Sequence, residues 1–161
     1  MRCCNLGNSQ GKVAIDHDNF TACDDSVSNH QIDGFRHVPI QLHHVHFFGQ
    51  QNAEMQAWYA KTFGAKASTT PNGAPVDDVP GAQLRFNKAD AAQAPTKGRV
   101  LDHIGFDVVD LQAFTKKLEA EGIKLDRPYT KLPNGIALAF ITDPWGTYIE
   151  LNERPNAAYI N

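Results

Sequence analysis

The sequence predicts an α+β domain built from two copies of a strand, helix, three-strand unit (βαβββ), whose strands form a curved mixed sheet. Three observations predict it. Leu101-Asp102-His103-Ile104-Gly105-Phe106 overlays Leu42-His43-His44-Val45-His46-Phe47 at a constant offset of 59, the separation of Leu42 from Leu101. Each stretch is followed by an apolar-periodic helical segment that ends at glycine, and Gly122-Ile123-Lys124 echoes Gly64-Ala65-Lys66. After each helix, turns rich in Pro, Asn and Gly cut the chain into short extended segments, the signature of a repeated supersecondary unit.

Composition narrows the function classes. With 161 residues, 42% of them hydrophobic, the chain suits one well-cored domain. A net charge of −3 and a pI near 6.1 offer no footprint for nucleic acid or an anionic membrane. No apolar stretch approaches the roughly 20 residues of a membrane span, and no signal-type apolar run follows Met1, so the expected location is cytoplasmic. Cys3, Cys4 and Cys23 all precede the periodic region, which therefore folds without a disulfide of its own. Residues 1–38 are polar and aperiodic and read as a poorly ordered extension; 39–154 form the domain, and 155–161 a tail. His17, His30 and His37 join the cysteines in the extension, but at no zinc-site spacing.

The elements follow in order. Residues 40–48 alternate as a strand, with Val45 and Phe47 on one face and Leu42, His44, His46 and Phe48 on the other. Residues 53–63 form a helix in which Met55, Trp58, Tyr59 and Phe63 recur at helical spacing as core, closed by Gly64. Pro71-Asn72-Gly73 and Pro80-Gly81 divide 66–80 into two short strands, and 82–87 form a third, with Leu84 and Phe86 opposite Gln83 and Arg85. The second unit repeats this: a strand at 101–106, then a helix at 111–121 capped by Asp110, with Leu111, Phe114 and Leu118 inward and Lys116 and Lys117 solvated. A strand near Leu125, a turn at Pro133-Asn134-Gly135, a strand at 136–142 and a last strand through Glu150 complete it. Asp143-Pro144-Trp145-Gly146 supplies the tight turn into that last strand.

Strand parity locates the chemistry. Thr147, Ile149 and Leu151 point toward the helix, so Tyr148 and Glu150 point away from it, together with His44, His46, Gln83, Arg85 and His103. A carboxylate facing inward across a sheet is costly unless a cation or a metal meets it. Two imidazoles and one carboxylate suit a divalent Fe, Mn, Zn, Ni or Co ion and leave positions open for substrate. For any one of these residues, an exposed or satisfied structural side chain is the plainer reading. His43 falls on the helix side and reads as structural or exposed.

The His44-Val45 pair, the helix ending Phe63-Gly64-Ala65, the Asp102-His103-Ile104-Gly105-Phe106 strand and Asp143-Pro144-Trp145-Gly146-Thr147-Tyr148-Ile149-Glu150-Leu151 together resemble the vicinal oxygen chelate superfamily. That family includes glyoxalase I, extradiol dioxygenases, methylmalonyl-CoA epimerase and the fosfomycin- and bleomycin-resistance proteins. The resemblance spans about 40–154 and implies paired βαβββ modules with one divalent metal at His44, His103 and Glu150. It also implies a small substrate that chelates the metal through adjacent oxygens, Glu150 as catalytic carboxylate in lyase-type members, and a homodimer. Where glyoxalase I and the epimerase carry a fourth ligand, Glu or Gln, this chain has Arg85, with Gln83 two residues earlier as a possible substitute. A guanidinium has no lone pair for a cation, so Arg85 is expected either to hold a substrate carboxylate or to neutralise Glu150. His46 and Tyr148 are expected to orient substrate or ligands. The leading expectation is a glyoxalase-like lyase or a dioxygenase; the alternative is a metal-free ligand-sequestering protein of the bleomycin-resistance type, marked by an Arg85–Glu150 ion pair.

Overall fold

Each half of the chain folds as a strand, a helix and three strands. The first comprises β1 (His44–Gly49), α1 (Asn52–Phe63), β2 (Lys66–Thr69), β3 (Pro75–Val79) and β4 (Ala82–Lys88). The second comprises β5 (His103–Asp107), α2 (Leu111–Ala120), β6 (Leu125–Lys131), β7 (Ala137–Thr142) and β8 (Tyr148–Glu153). The computed structural model describes residues 40–155, within one unit. The extension with Cys3, Cys4, Cys23, His17, His30 and His37, and nearly all of the tail, lie outside the described residues.

The two sheets have the same topology, β1-β4-β3-β2 and β5-β8-β7-β6. In each, the first and last strands pair parallel and the remaining pairs are antiparallel. A parallel pair requires a long crossover, which α1 and β2–β3 provide in one half and α2 and β6–β7 in the other. β1 begins four residues later than the alternation predicts. Its partner β4 cannot extend further, because Pro80-Gly81 turns the chain back just before Ala82, and the ladder ends with the Gln83 N–H donating to the His43 carbonyl. Pro75 opens β3 and Pro128 sits in edge strand β6, where the register slips, so neither removes a bond from a central strand.

The helices form where the spacing places them. Gly64 closes α1 in the left-handed region at φ 72°, its N–H donating to the Ala60 carbonyl, and Asp110 caps α2 by accepting from the Ala113 N–H at 2.9 Å. Met55 and Tyr59 of α1 and Leu111 and Leu118 of α2 are fully buried. They share one core with Phe47, Leu84 and Phe86 of the first sheet and Ala139, Ile141, Ile149 and Leu151 of the second. The halves are therefore joined through their helix-facing sides. Phe63 stacks on Phe106 with centroids 4.8 Å apart, and Trp58 meets Trp145 edge to face. At the centre, the Tyr59 hydroxyl donates to Asp143 Oδ2 at 2.8 Å, while the N–H groups of Trp145 and Thr147 donate to Asp143 Oδ1 at 2.9 and 2.7 Å. Burial, with the neighbouring Asp143 carboxylate, holds the Tyr59 hydroxyl well above its ordinary pKa, so it remains a donor. The turn read from sequence as a strand entry is thus also the polar tie between the halves.

Candidate functional site

The faces opposite this core carry the expected polar residues, and strand register fixes their order. On the first sheet, His44 stands beside Gln83 and Gln83 beside Asp78; one step on, His46 stands beside Arg85 and Arg85 beside Val76. On the second, His103 stands beside Tyr148 and Tyr148 beside Thr142; one step on, Gly105 stands beside Glu150 and Glu150 beside Phe140.

His103 and Glu150 meet, with His103 Nε2 at 3.0 Å from Glu150 Oε2. They lie diagonally across the β5/β8 ladder, and the residue directly opposite Glu150 is Gly105, which has no side chain to occupy the space the ring leans across. The other ring nitrogen, Nδ1, lies 2.8 Å from Asp102 Oδ1. That hydrogen bond is the main reason the Asp102 carboxyl is held below its usual range, with the Gly98 N–H adding to it. A cation ligated at Nε2 would leave Nδ1–H to donate to Asp102. Edge contacts from Phe140 and Tyr148 further fix the ring, and those two rings stack at 4.9 Å. Tyr148, Leu138 and Phe140 form a second, smaller apolar cluster on this face, and Lys97 lies over the Tyr148 ring at 4.2 Å.

His44 does not join this pair. Its ring meets His46 at a centroid distance of 4.6 Å, and its Nδ1 lies 2.6 Å from His43 Nδ1. Desolvation, then the charges of Arg85, His46 and His43, lower its pKa and favour the neutral, ligating form. Among the described residues no three His, Cys, Asp or Glu side chains are placed to hold one metal ion. One chain thus offers two of the three expected donors together and the third elsewhere. His46, exposed and stacked on Phe48, instead shares a cleft with His103, lined also by Phe47, Thr96, Leu101 and Trp145.

Arg85 and Gln83 are bound to each other. Arg85 Nε and Nη2 both donate to Gln83 Oε1, at 3.1 and 2.9 Å, and Gln83 Nε2 donates to Asp78 Oδ1 at 2.9 Å. Because its carbonyl oxygen is engaged by a cation, Gln83 is not poised as the substitute fourth ligand. Nor do Arg85 and Glu150 pair within the chain, since the ion pair formed by Glu150 is with His103. Sequence reading missed the role of Asp102 and the Phe140 ring that stacks on the expected Tyr148; the signal for Asp102 was an acid immediately preceding a ligand-type histidine.

The family profile of the Glyoxalase/Bleomycin resistance protein/Dioxygenase superfamily matches residues 41–151. The chain belongs to that superfamily. Solved structures agree on the fold. Lactoylglutathione lyase from Agrobacterium tumefaciens superposes with a TM-score of 0.56 at 18% identity, covering 75% of this chain and 98% of its own. The fosfomycin resistance protein FosX from Listeria monocytogenes gives 0.57 at 16% identity, covering 69% of this chain and 90% of its own. The oxidase ChaP-H2 gives 0.57 at 19% identity, covering 75% and 98%. At such identities the likeness extends to fold, and the three names span different chemistries. No curated protein matches the sequence significantly. Among the described residues no helix is long and apolar enough to cross a membrane.

Proposed function

We propose that this protein is a homodimeric, metal-dependent enzyme of the superfamily, glyoxalase-like or dioxygenase-like, acting on a small substrate with two adjacent oxygens. The observation that carries the reading is the His103–Glu150 pair, 3.0 Å apart and backed by Asp102 on the other ring nitrogen. A carboxylate behind a ligating histidine fixes its tautomer and raises its basicity.

The donor set fits a divalent ion of the Fe, Zn, Ni, Mn or Co type, provided that His44 comes from a second copy of the chain. Two features favour that source. β1 and β5 are the outer strands of their sheets, each with one unpaired edge, and exposed apolar residues flank those edges: Ile40 (80% exposed), Leu42 (64%) and Phe48 (52%) by β1, and Leu101 (61%) by β5. A second copy laid along these edges would cover them and bring His44 of one chain toward His103 and Glu150 of the other. When bound, the ion would supply Lewis-acid polarisation of the substrate's paired oxygens. Glu150 would take and return a proton at the neighbouring carbon in lyase-type turnover, and would serve only as a ligand in a dioxygenase. His46 and Tyr148 would flank the substrate, with the Phe140–Tyr148 stack as an apolar wall.

The test is elemental analysis of the purified protein and of His103→Ala, with turnover of the methylglyoxal–glutathione adduct and of catechol. Stoichiometric metal lost in the variant, together with turnover of one substrate, supports the reading. Absence of metal and turnover, with thermal stability unchanged in chelator, supports the metal-free binding protein. The observation favouring that alternative is that a single chain brings only two donors together.

A further inference from the structure

Arg85 is a half-buried cation with no carboxylate partner among the described residues. Its two side-chain hydrogen bonds converge on one neutral oxygen, Gln83 Oε1, and Gln83 is held by Asp78, which also accepts from the Ser68 hydroxyl at 3.5 Å. The consequence is a guanidinium fixed in orientation but not neutralised. Of its five N–H groups, two donate to Gln83, and the remainder are free for an acceptor arriving on the open face. Its neighbours in register, His46 on β1 and Val76 on β3, bring no negative charge. A planar carboxylate is the group whose geometry matches the free side of the fork.

We propose that Arg85 is the docking point for a carboxylate on the substrate, so that the substrate class is small oxygen-rich acids rather than neutral dicarbonyls or diols. This rests on the functional reading above for the location of the substrate, and it adds the charge that substrate must carry. Gln83 and Asp78 are positioning residues: they aim the fork and do not touch the ligand. Arg85 therefore replaces a metal donor of the glyoxalase pattern with an anchor for the acid.

The experiment follows the Arg85 Nε–H resonance in the full-length ¹⁵N-labelled protein, assigned by triple-resonance spectra and by its loss in Arg85→Lys. Pyruvate is the probe, acetoin its neutral counterpart and inorganic phosphate the competing anion. The expected result is a saturable shift with pyruvate and none with acetoin. Gln83→Leu should weaken pyruvate at least fivefold, while Lys116→Ala, on the solvated face of α2, should leave its affinity within twofold. A protein without metal that still shows the shift leaves this proposal standing while the metal reading fails. No shift with pyruvate, or one with phosphate alone, overturns it. So does a shift that emerges only in Glu150→Gln, because the partner subunit's Glu150 would then be the anion that Arg85 holds.

Discussion

The two sheets place different chemistry on the same frame. His44, Gln83 and Asp78 occupy the register positions that His103, Tyr148 and Thr142 occupy in the second sheet, and His46, Arg85 and Val76 correspond to Gly105, Glu150 and Phe140. The first face is polar and carries a fixed cation, whereas the second is aromatic and carries a carboxylate paired with its histidine. One substitution pair explains much of the divergence: where His46 fills the place opposite Arg85, Gly105 leaves the place opposite Glu150 vacant, and His103 reaches across it. The repeated topology supplies equivalent positions, and the residues that fill them put a cation on one face and a carboxylate on the other.

Five substitutions would break or sharpen this comparison. Asp143→Ala removes three hydrogen bonds at the tie between the halves and should cost about 3 kcal/mol in denaturant unfolding. A loss below about 1 kcal/mol would mean that apolar contacts alone hold the halves together. Glu150→Gln should lower metal affinity on the order of 100-fold or more, measured by competition with a chromophoric chelator, since it removes a charged donor outright. Asp102→Asn should cost about 10- to 100-fold in the same assay, because it frees the His103 tautomer without touching a ligand. Arg85→Gln places an amide oxygen where a cation stood and should raise metal affinity about tenfold, the opposite sign to the equivalent change at Glu150.

The smallest effect concerns Asp77. It is fully buried beneath α1, and its carboxylate oxygens lack hydrogen-bond partners among the described residues. Burial pushes its pKa from 3.8 up to about 6, with Asp78 adding to the shift and the Gln56 amide opposing it. Between about pH 4 and 6 the folded state therefore keeps a proton that the unfolded chain has released. Its contribution to stability is greatest below about pH 4 and is lost as pH rises through about 6. Asp77→Asn should flatten that limb of the stability–pH curve and raise stability at pH 7.5 by about 1 kcal/mol. An unchanged curve would show that the carboxylate is solvated in solution.

Much of this was legible in the chain because it depends on local periodicity. Alternation in β8 separates Ile149 and Leu151 from Glu150, and Gly64 and Asp110 mark helix ends by backbone conformation and capping chemistry. The facing set was also readable, since parity alone assigns His44, Arg85, His103 and Glu150. How the halves face each other was not. That depends on which apolar surfaces find one another, and Tyr59, Trp58 and Phe63 reveal their partners Asp143, Trp145 and Phe106 only once the chain is folded. The β5/β8 ladder brings His103 to Glu150 within the second half, whereas His44, in the first half, stays apart from them. The apolar character of the second face was missed because Leu138 and Phe140 belong to a strand buried on both sides, where alternation vanishes.

The central claim, that two copies of the chain complete each site, is tested most directly by mixing. His44→Ala and His103→Ala are each expected to lose bound metal. Co-expressed and purified as a heterodimer, they should regain one metal ion per dimer, because one of the two shared sites then has both histidines intact. A heterodimer that holds no metal, while the wild type holds one ion per chain, would place all three donors within a single chain and contradict the account.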